Sequence, residues 1–230
     1  MIKKQLEEVR KNITEAAIKA NRDPKEITLI AVSKTYPASA IKEAVAEGCM
    51  NFGENHVQEL CQKIEEIQEP VKWHLIGHLQ TNKVKYIIGK TELIHSLDSL
   101  RLAEEIEKQS AKKDVVTKVL IEVNVANEAS KHGFKVEEVL PAVQAISQMP
   151  HIKVEGLMTV APFVECPEEN RTIFRKLSAL SVDIQKQKFD NISVNILSMG
   201  MSNDYKIAIE EGATMVRVGT AIFGNRDYSK

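Results

Sequence analysis

A lysine closes the mostly apolar run ITLIAVSK (residues 27–34), and near the far end of the chain the stretch RVGTAIFG (217–224) opens on an arginine. Runs of this kind, short and β-branched, read as strands. Alternation puts Ile30, Val32 and Lys34 on one face of the first strand, and Met215, Arg217 and Gly219 on one face of the last. A lone lysine at a strand end is ordinarily solvated. Held in a partly apolar mouth near an arginine, a lysine loses part of its preference for the ammonium form, and its amine becomes a usable nucleophile. The chemistry this opens is imine formation with an aldehyde.

A second group of residues suits a phosphate. SMGMSND (198–204) reads as a glycine-bearing loop leading into a helix, with Ser202, Asn203 or Asp204 near its cap. Backbone N–H groups and serine hydroxyls there bind phosphate without a basic side chain. Gly219 and Thr220 form a second such loop. Either loop alone is the ordinary end of a strand; both beside Lys34 make a phosphate grip next to an imine-forming amine. That combination describes pyridoxal 5'-phosphate (PLP), or a phosphorylated sugar aldehyde held for aldol chemistry.

The elements that must bring these residues together can be counted. Eight runs read as strands: 27–34, 51–55, 71–78, 92–99, 117–125, 151–160, 192–200 and 215–224. Stretches of helical period follow most of them, including ASAIKEAVAEG, HVQELCQKIEEIQ, LRLAEEIEKQSAKK, KVEEVLPAVQAISQM, NRTIFRKLSALSVDIQKQ and SNDYKIAIEEG. Alternating strands and helices imply a parallel sheet with right-handed crossovers. Eight units without a long linker predict one α/β domain over residues 1–230, a closed (β/α)8 TIM barrel preceded by an extra amphipathic helix, with an open doubly wound sheet as the alternative. In a closed barrel the first and eighth strands are neighbours, and sites form at the strands' C-terminal ends, with phosphate frequently held after strands seven and eight. Lys34 and Arg217 would then share one mouth.

Composition excludes several classes. The 230 residues are 43% hydrophobic and 27% charged, with a net charge of −1 and only short basic groupings such as Lys112-Lys113, so neither a nucleic-acid footprint nor a polybasic membrane patch is present. Cys49, Cys61 and Cys166 are scattered, which suits a reducing compartment, and the N-terminus lacks the apolar segment of a secretory signal. A cytoplasmic protein, without membrane or nucleic-acid partners, is expected.

Six separated blocks carry a resemblance: AVSKTYP, NFGENHVQE, WHLIGHLQTNK, IHSLDS, GLMTV and LSMGMSNDYKIAIEEGATMVRVGTAIFG, in this order over residues 27–224. Together they resemble the pyridoxal phosphate homeostasis proteins. The resemblance implies a barrel similar to the N-terminal domain of alanine racemase, with PLP as cofactor and Lys34 as its Schiff-base lysine. It further implies that Ser198, Ser202, Gly219 and Thr220 lie in phosphate-binding blocks, that Arg217 faces the pyridine nitrogen, and that Asn55, His78 and Met199 sit in blocks lining the cofactor pocket. It implies a monomer that passes cofactor to apo PLP-dependent enzymes.

Arg217 bears on turnover. A guanidinium carries donors only and stays protonated, so it favours an unprotonated ring nitrogen and weakens stabilisation of a carbanion, whereas strong PLP electron sinks place an acid there. Alanine racemase resembles this arrangement and relies on a second acid–base group. Tyr36, Tyr86, Tyr205 and Tyr228 could supply one only in principle. A carrier with little or no turnover is therefore expected, with a PLP-dependent amino-acid racemase and a Schiff-base aldolase as rivals. His74 and His78 share a face of WHLIGH, but no third ligand joins them at motif spacing, and no metal site is expected. Asp98 or Ser99 is expected to cap a helix, and NEASKHGF (127–134) to form a polar loop on the rim of Lys34.

Overall fold

A computed structural model describes residues 1–224; Tyr228 lies outside the described residues. The eight strands are β1 (Thr28–Val32), β2 (Asn51–Glu54), β3 (Lys72–Leu75), β4 (Leu93–Leu97), β5 (Thr117–Glu122), β6 (Ile152–Met158), β7 (Ile192–Ser198) and β8 (Met215–Val218). All pair in parallel, in sequence order, and β1 closes on β8. The barrel is closed, not an open sheet. Its helices are α1 (Ile2–Lys19), α2 (Ala38–Ala46), α3 (Val57–Glu66), α4 (Val84–Ile87), α5 (Leu100–Lys113), α6 (Val136–Ile146), α7 (Arg171–Gln185), α8 (Tyr205–Glu210) and α9 (Thr220–Phe223).

The extra helix α1 is amphipathic in the expected sense. Ile2, Leu6, Val9, Ile13, Ala16 and Ala17 recur at helical spacing and are buried against α2, α8 and α9, while the lysines and glutamates between them face solvent. Each strand is shorter than its expected run, and two of the differences bear on the site. The run 215–224 stops being a strand at Val218, because Thr220–Phe223 turn into α9, whose Phe223 packs on Tyr36 with ring centroids 4.9 Å apart. The run 71–78 ends at Leu75, so alternation no longer relates His74 to His78.

The outward faces of the strands pack against the helices in one large apolar cluster, with Phe52, Leu60, Leu75, Ile94 and Phe174 among its fully buried members. The lumen is different. A small apolar layer of Leu93, Leu120 and Met158 lies within it, and two residues beyond Leu93 and Leu120 stand the polar His95 and Glu122. His95 Nδ1 on β4 meets Ser198 Oγ on β7 at 2.9 Å, a contact between strands that are not neighbours and that therefore crosses the barrel interior. Bulky aliphatic side chains usually fill such layers; here a hydrogen-bonded layer does.

Among the described residues, no helix is long and apolar enough to cross a membrane.

Candidate functional site

Strand pairing sets the site. Ile30 of β1 lies opposite Arg217 of β8, so the chain leaving β1 rises past the arginine, and Lys34 sits two residues beyond the strand in the turn that follows. Lys34, Asn55, Ser202, Arg217, Gly219 and Thr220 line one cavity of about 320 Å³ at the C-terminal mouth. Ile76, Val160, Pro162, Phe163 and Met201 form its apolar walls. Its size is that of a small-molecule site, about 300–1,000 Å³.

The two glycine loops are joined. Gly219 N–H donates to Ser202 Oγ at 3.3 Å, so the loop after β7 and the turn after β8 bring two hydroxyl-bearing residues, Ser202 and Thr220, to the same cavity. Gly200 makes the first loop possible: its φ is +89°, and a Cβ there would stand 2.6 Å from Ala208 Cβ and 2.8 Å from Tyr205 Cα. Asp204 fixes the remainder, accepting from Met201 N–H at 2.7 Å and from Asn170 Nδ2 at 2.8 Å.

Arg217 is held from below. It donates to Ser198 Oγ at 2.7 Å and to the Thr159 carbonyl at 2.8 Å. Ser198 Oγ also meets His95, whose Nε2 lies 3.0 Å from His74 Nδ1, and His74 Nε2 lies 3.1 Å from Asn51 Oδ1. Burial drives both imidazoles toward the neutral form: His74 titrates at about 4 and His95 well below its ordinary 6.5. A neutral imidazole carries one donor and one acceptor, so the chain from Asn51 to Arg217 can be satisfied link by link without a charge. Burial also lowers Arg217 to about 10, opposed by Glu122 and Asp204; it remains a cation at neutral pH.

Glu122, at the inward-facing end of β5, is pushed up to about 7, first by burial and then by Asp98, with Arg217 opposing. The alternation Leu120, Glu122 already aims it inward, which is the signal that could have singled it out. Behind the lysine turn lies another buried group. Lys63 Nζ donates to Glu54 Oε1 at 2.8 Å, to the Ser33 carbonyl at 2.7 Å and to Glu59 Oε1 at 2.7 Å, while Ser33 Oγ donates to Glu54 Oε1 at 2.6 Å and Thr35 N–H to Glu59. Both neighbours of Lys34 are thus tied to one cluster. Thr35 itself has a φ of +70°, a left-handed conformation that a β-branched residue rarely adopts. A lysine on the buried face Val57, Leu60, Lys63 of α3 was the clue in the sequence.

The other expected site residues fall elsewhere. Ser198 lies beneath the cavity as Arg217's acceptor. Met199 is fully buried, its N–H bonded to the Met215 carbonyl. His78 lines an adjoining cavity that shares Asn55 with the first, and its Nδ1 lies 2.9 Å from Asp98 Oδ2. Tyr36 donates to the Gly224 carbonyl, Tyr86 is exposed beside Lys83 and Lys85, and Tyr205 is buried with its hydroxyl toward Asn12. Ser99, not Asp98, caps α5.

A closed barrel whose C-terminal mouth gathers a lysine after strand one, an arginine on strand eight and two glycine loops defines the class of the fold and site. The model of the alanine racemase N-terminal domain matches residues 5–227. A pyridoxal phosphate homeostasis protein of Aquifex aeolicus is 45% identical over 224 residues, 97% of each chain. PipY of Synechococcus elongatus PCC7942 superimposes with a TM-score of 0.87 without PLP (34% identity, 97% of this chain and 100% of that one) and 0.85 with PLP bound (33% identity, the same coverage). The chain belongs to the alanine racemase N-terminal domain family, among its pyridoxal phosphate homeostasis proteins.

Proposed function

We propose that the chain is a PLP-binding protein of vitamin B6 homeostasis, one cofactor-binding domain that holds PLP through a Schiff base on Lys34 and has little or no turnover. The observation that carries this reading is the convergence of Lys34, Arg217 and the Ser202–Gly219–Thr220 grip on a single cavity. The PLP bound to PipY, which shares the fold along its whole length, supports it. When bound, PLP supplies a reactive aldehyde and an electron-withdrawing ring.

The residues present fit that group in three ways. Lys34 offers the amine, in a turn whose flanking residues are anchored by Lys63 and Glu59. The Ser202 and Thr220 hydroxyls and the Gly219 region offer polar groups for the phosphate. Arg217 offers the ring only donors, and its fixed positive charge keeps the ring nitrogen unprotonated. That last feature favours storage over carbanion chemistry. We further assign the protein to the cytoplasm, as a monomer that limits free aldehyde and releases cofactor to apo PLP-dependent enzymes.

One observation favours an amino-acid racemase as a second reading: Glu122, near neutrality in its titration, stands at the same end of the barrel and could serve as the second acid–base group. The two are separated by mixing PLP-loaded protein with amino acids in deuterated water. A carrier leaves the α-proton in place, and a racemase exchanges it. The shared requirement is tested by the near-visible absorption of PLP mixed with the wild type and with Lys34→Ala. An imine band is expected in the wild type alone, and an equal band in Lys34→Ala would overturn the assignment of the lysine.

A further inference from the structure

Three side chains distant in sequence meet on the barrel rim outside the cavity assigned to PLP. His78 follows β3, Asp98 follows β4, and His132 belongs to the loop after β5. Their ligand atoms all lie within 4.8 Å of one another. Asp98 Oδ2 is 2.9 Å from His78 Nδ1 and 3.9 Å from His132 Nδ1, and the two imidazoles stack with centroids 3.8 Å apart at 12°.

We infer that His78, Asp98 and His132 form a binding site for a borderline divalent cation such as Zn²⁺. Two imidazoles and a carboxylate are the ligand types such an ion takes when a coordination position stays open to water. Tetrahedral bonds of about 2.0–2.1 Å require ligand atoms about 3.3 Å apart; the separations of 2.9 and 3.9 Å bracket this value, and the two stacked rings must splay out of their parallel arrangement so that both nitrogens aim at one ion. The accessibility is graded as such a site requires. The Asp98 side chain is 10% exposed, while His78 and His132 are 40% and 56% exposed, leaving the solvent side for the remaining ligands.

Both halves of the site are held in place before an ion arrives. Asp98 Oδ1 accepts from Ser99 Oγ at 3.0 Å, which leaves Oδ2 turned toward the histidines. The loop carrying His132 is bound back to β5: Phe134 N–H donates to the Glu122 carbonyl at 2.8 Å, and the Asn124 side chain bonds the Glu128 carbonyl at 2.8 Å and its N–H at 3.1 Å. Gly133 makes the return possible, since at its φ of +111° a Cβ would stand 2.9 Å from both Asn124 N and Glu122 O. Sequence spacing could not reveal this site, because its three ligands come from the segments after β3, β4 and β5. Bound metal would tie the loop of His132 to the ends of β3 and β4. This assignment is independent of the PLP reading.

The test is a titration of purified protein, stripped of metal by a chelator, in a Cys166→Ser background that removes the exposed thiol. Zn²⁺ is followed by competition with a chromogenic chelator, and Co²⁺ by its visible ligand-field bands. One equivalent of Zn²⁺ is expected, with Asp98→Asn and His132→Ala each weakening it by at least about 10-fold, the lower end of what loss of a mere supporting partner costs. His132 is exposed in a loop, so its replacement leaves folding intact. Binding of less than one equivalent by the parent, or an unchanged affinity in His132→Ala, would overturn the site.

Discussion

Glu122 and His74 give the barrel interior a pH dependence whose sign can be worked out. Glu122 is raised from 4.5 to about 7 by burial and by Asp98, so its folded form binds a proton that the unfolded chain releases. Its contribution to stability is complete below about pH 4.5 and is lost as pH rises through 7; at about 1.4 kcal/mol per pH unit the loss is about 3 kcal/mol. His74 is lowered from 6.5 to about 4, so the opposite holds. Its contribution is complete above 6.5 and is lost as pH falls through 4, again about 3 kcal/mol. Between about pH 4.5 and 6.5 Glu122 lowers stability as pH rises while His74 and the likewise lowered His95 raise it, so the wild type should climb less steeply than a protein without Glu122. Glu122→Gln removes that opposing contribution. Urea unfolding followed by Trp73, the chain's one tryptophan and a buried one, should then show two changes. The variant should gain up to about 3 kcal/mol on the wild type between pH 4.5 and 8, and its own stability should climb steadily from pH 4 to 6.5. Parallel curves for the two proteins across that range would refute the assignment of a neutral carboxyl at the mouth.

Lys63→Met should cost about 3–5 kcal/mol in urea unfolding, because it strands the buried carboxylate of Glu54 without its cation. The double change with Glu54→Gln should recover much of this loss. Ser198→Ala removes a partner from both Arg217 and His95, and a loss of about 1–3 kcal/mol is expected from the same unfolding curves.

Most of the architecture was legible because each strand, helix and return is written in a local period. Eight β-branched runs separated by helical stretches leave few topologies, and closure makes neighbours of β1 and β8, so Lys34 and Arg217 could be brought together before any contact was known. What local patterns lost was where each period stops. VKYI forms a single helical turn, α4, too short to show a periodicity, and TAIF reads equally well as strand or helix until Phe223 finds Tyr36. The site beyond the motifs was hidden for a different reason. His74, His95 and Ser198 come from β3, β4 and β7, and their joining depends on the barrel's lumen, which no sequence separation encodes. His78 illustrates both effects: the early end of β3 takes it out of His74's face and leaves it beside Asp98 and His132.

The role of Lys34 is reached most directly by trapping. PLP-loaded protein is reduced with borohydride, digested and mapped by peptide mass. The adduct is expected on the peptide containing Lys34 and on no other lysine at one equivalent of PLP. Stoichiometric labelling at a different lysine, with Lys34 unmodified, would contradict the cofactor site described for this barrel.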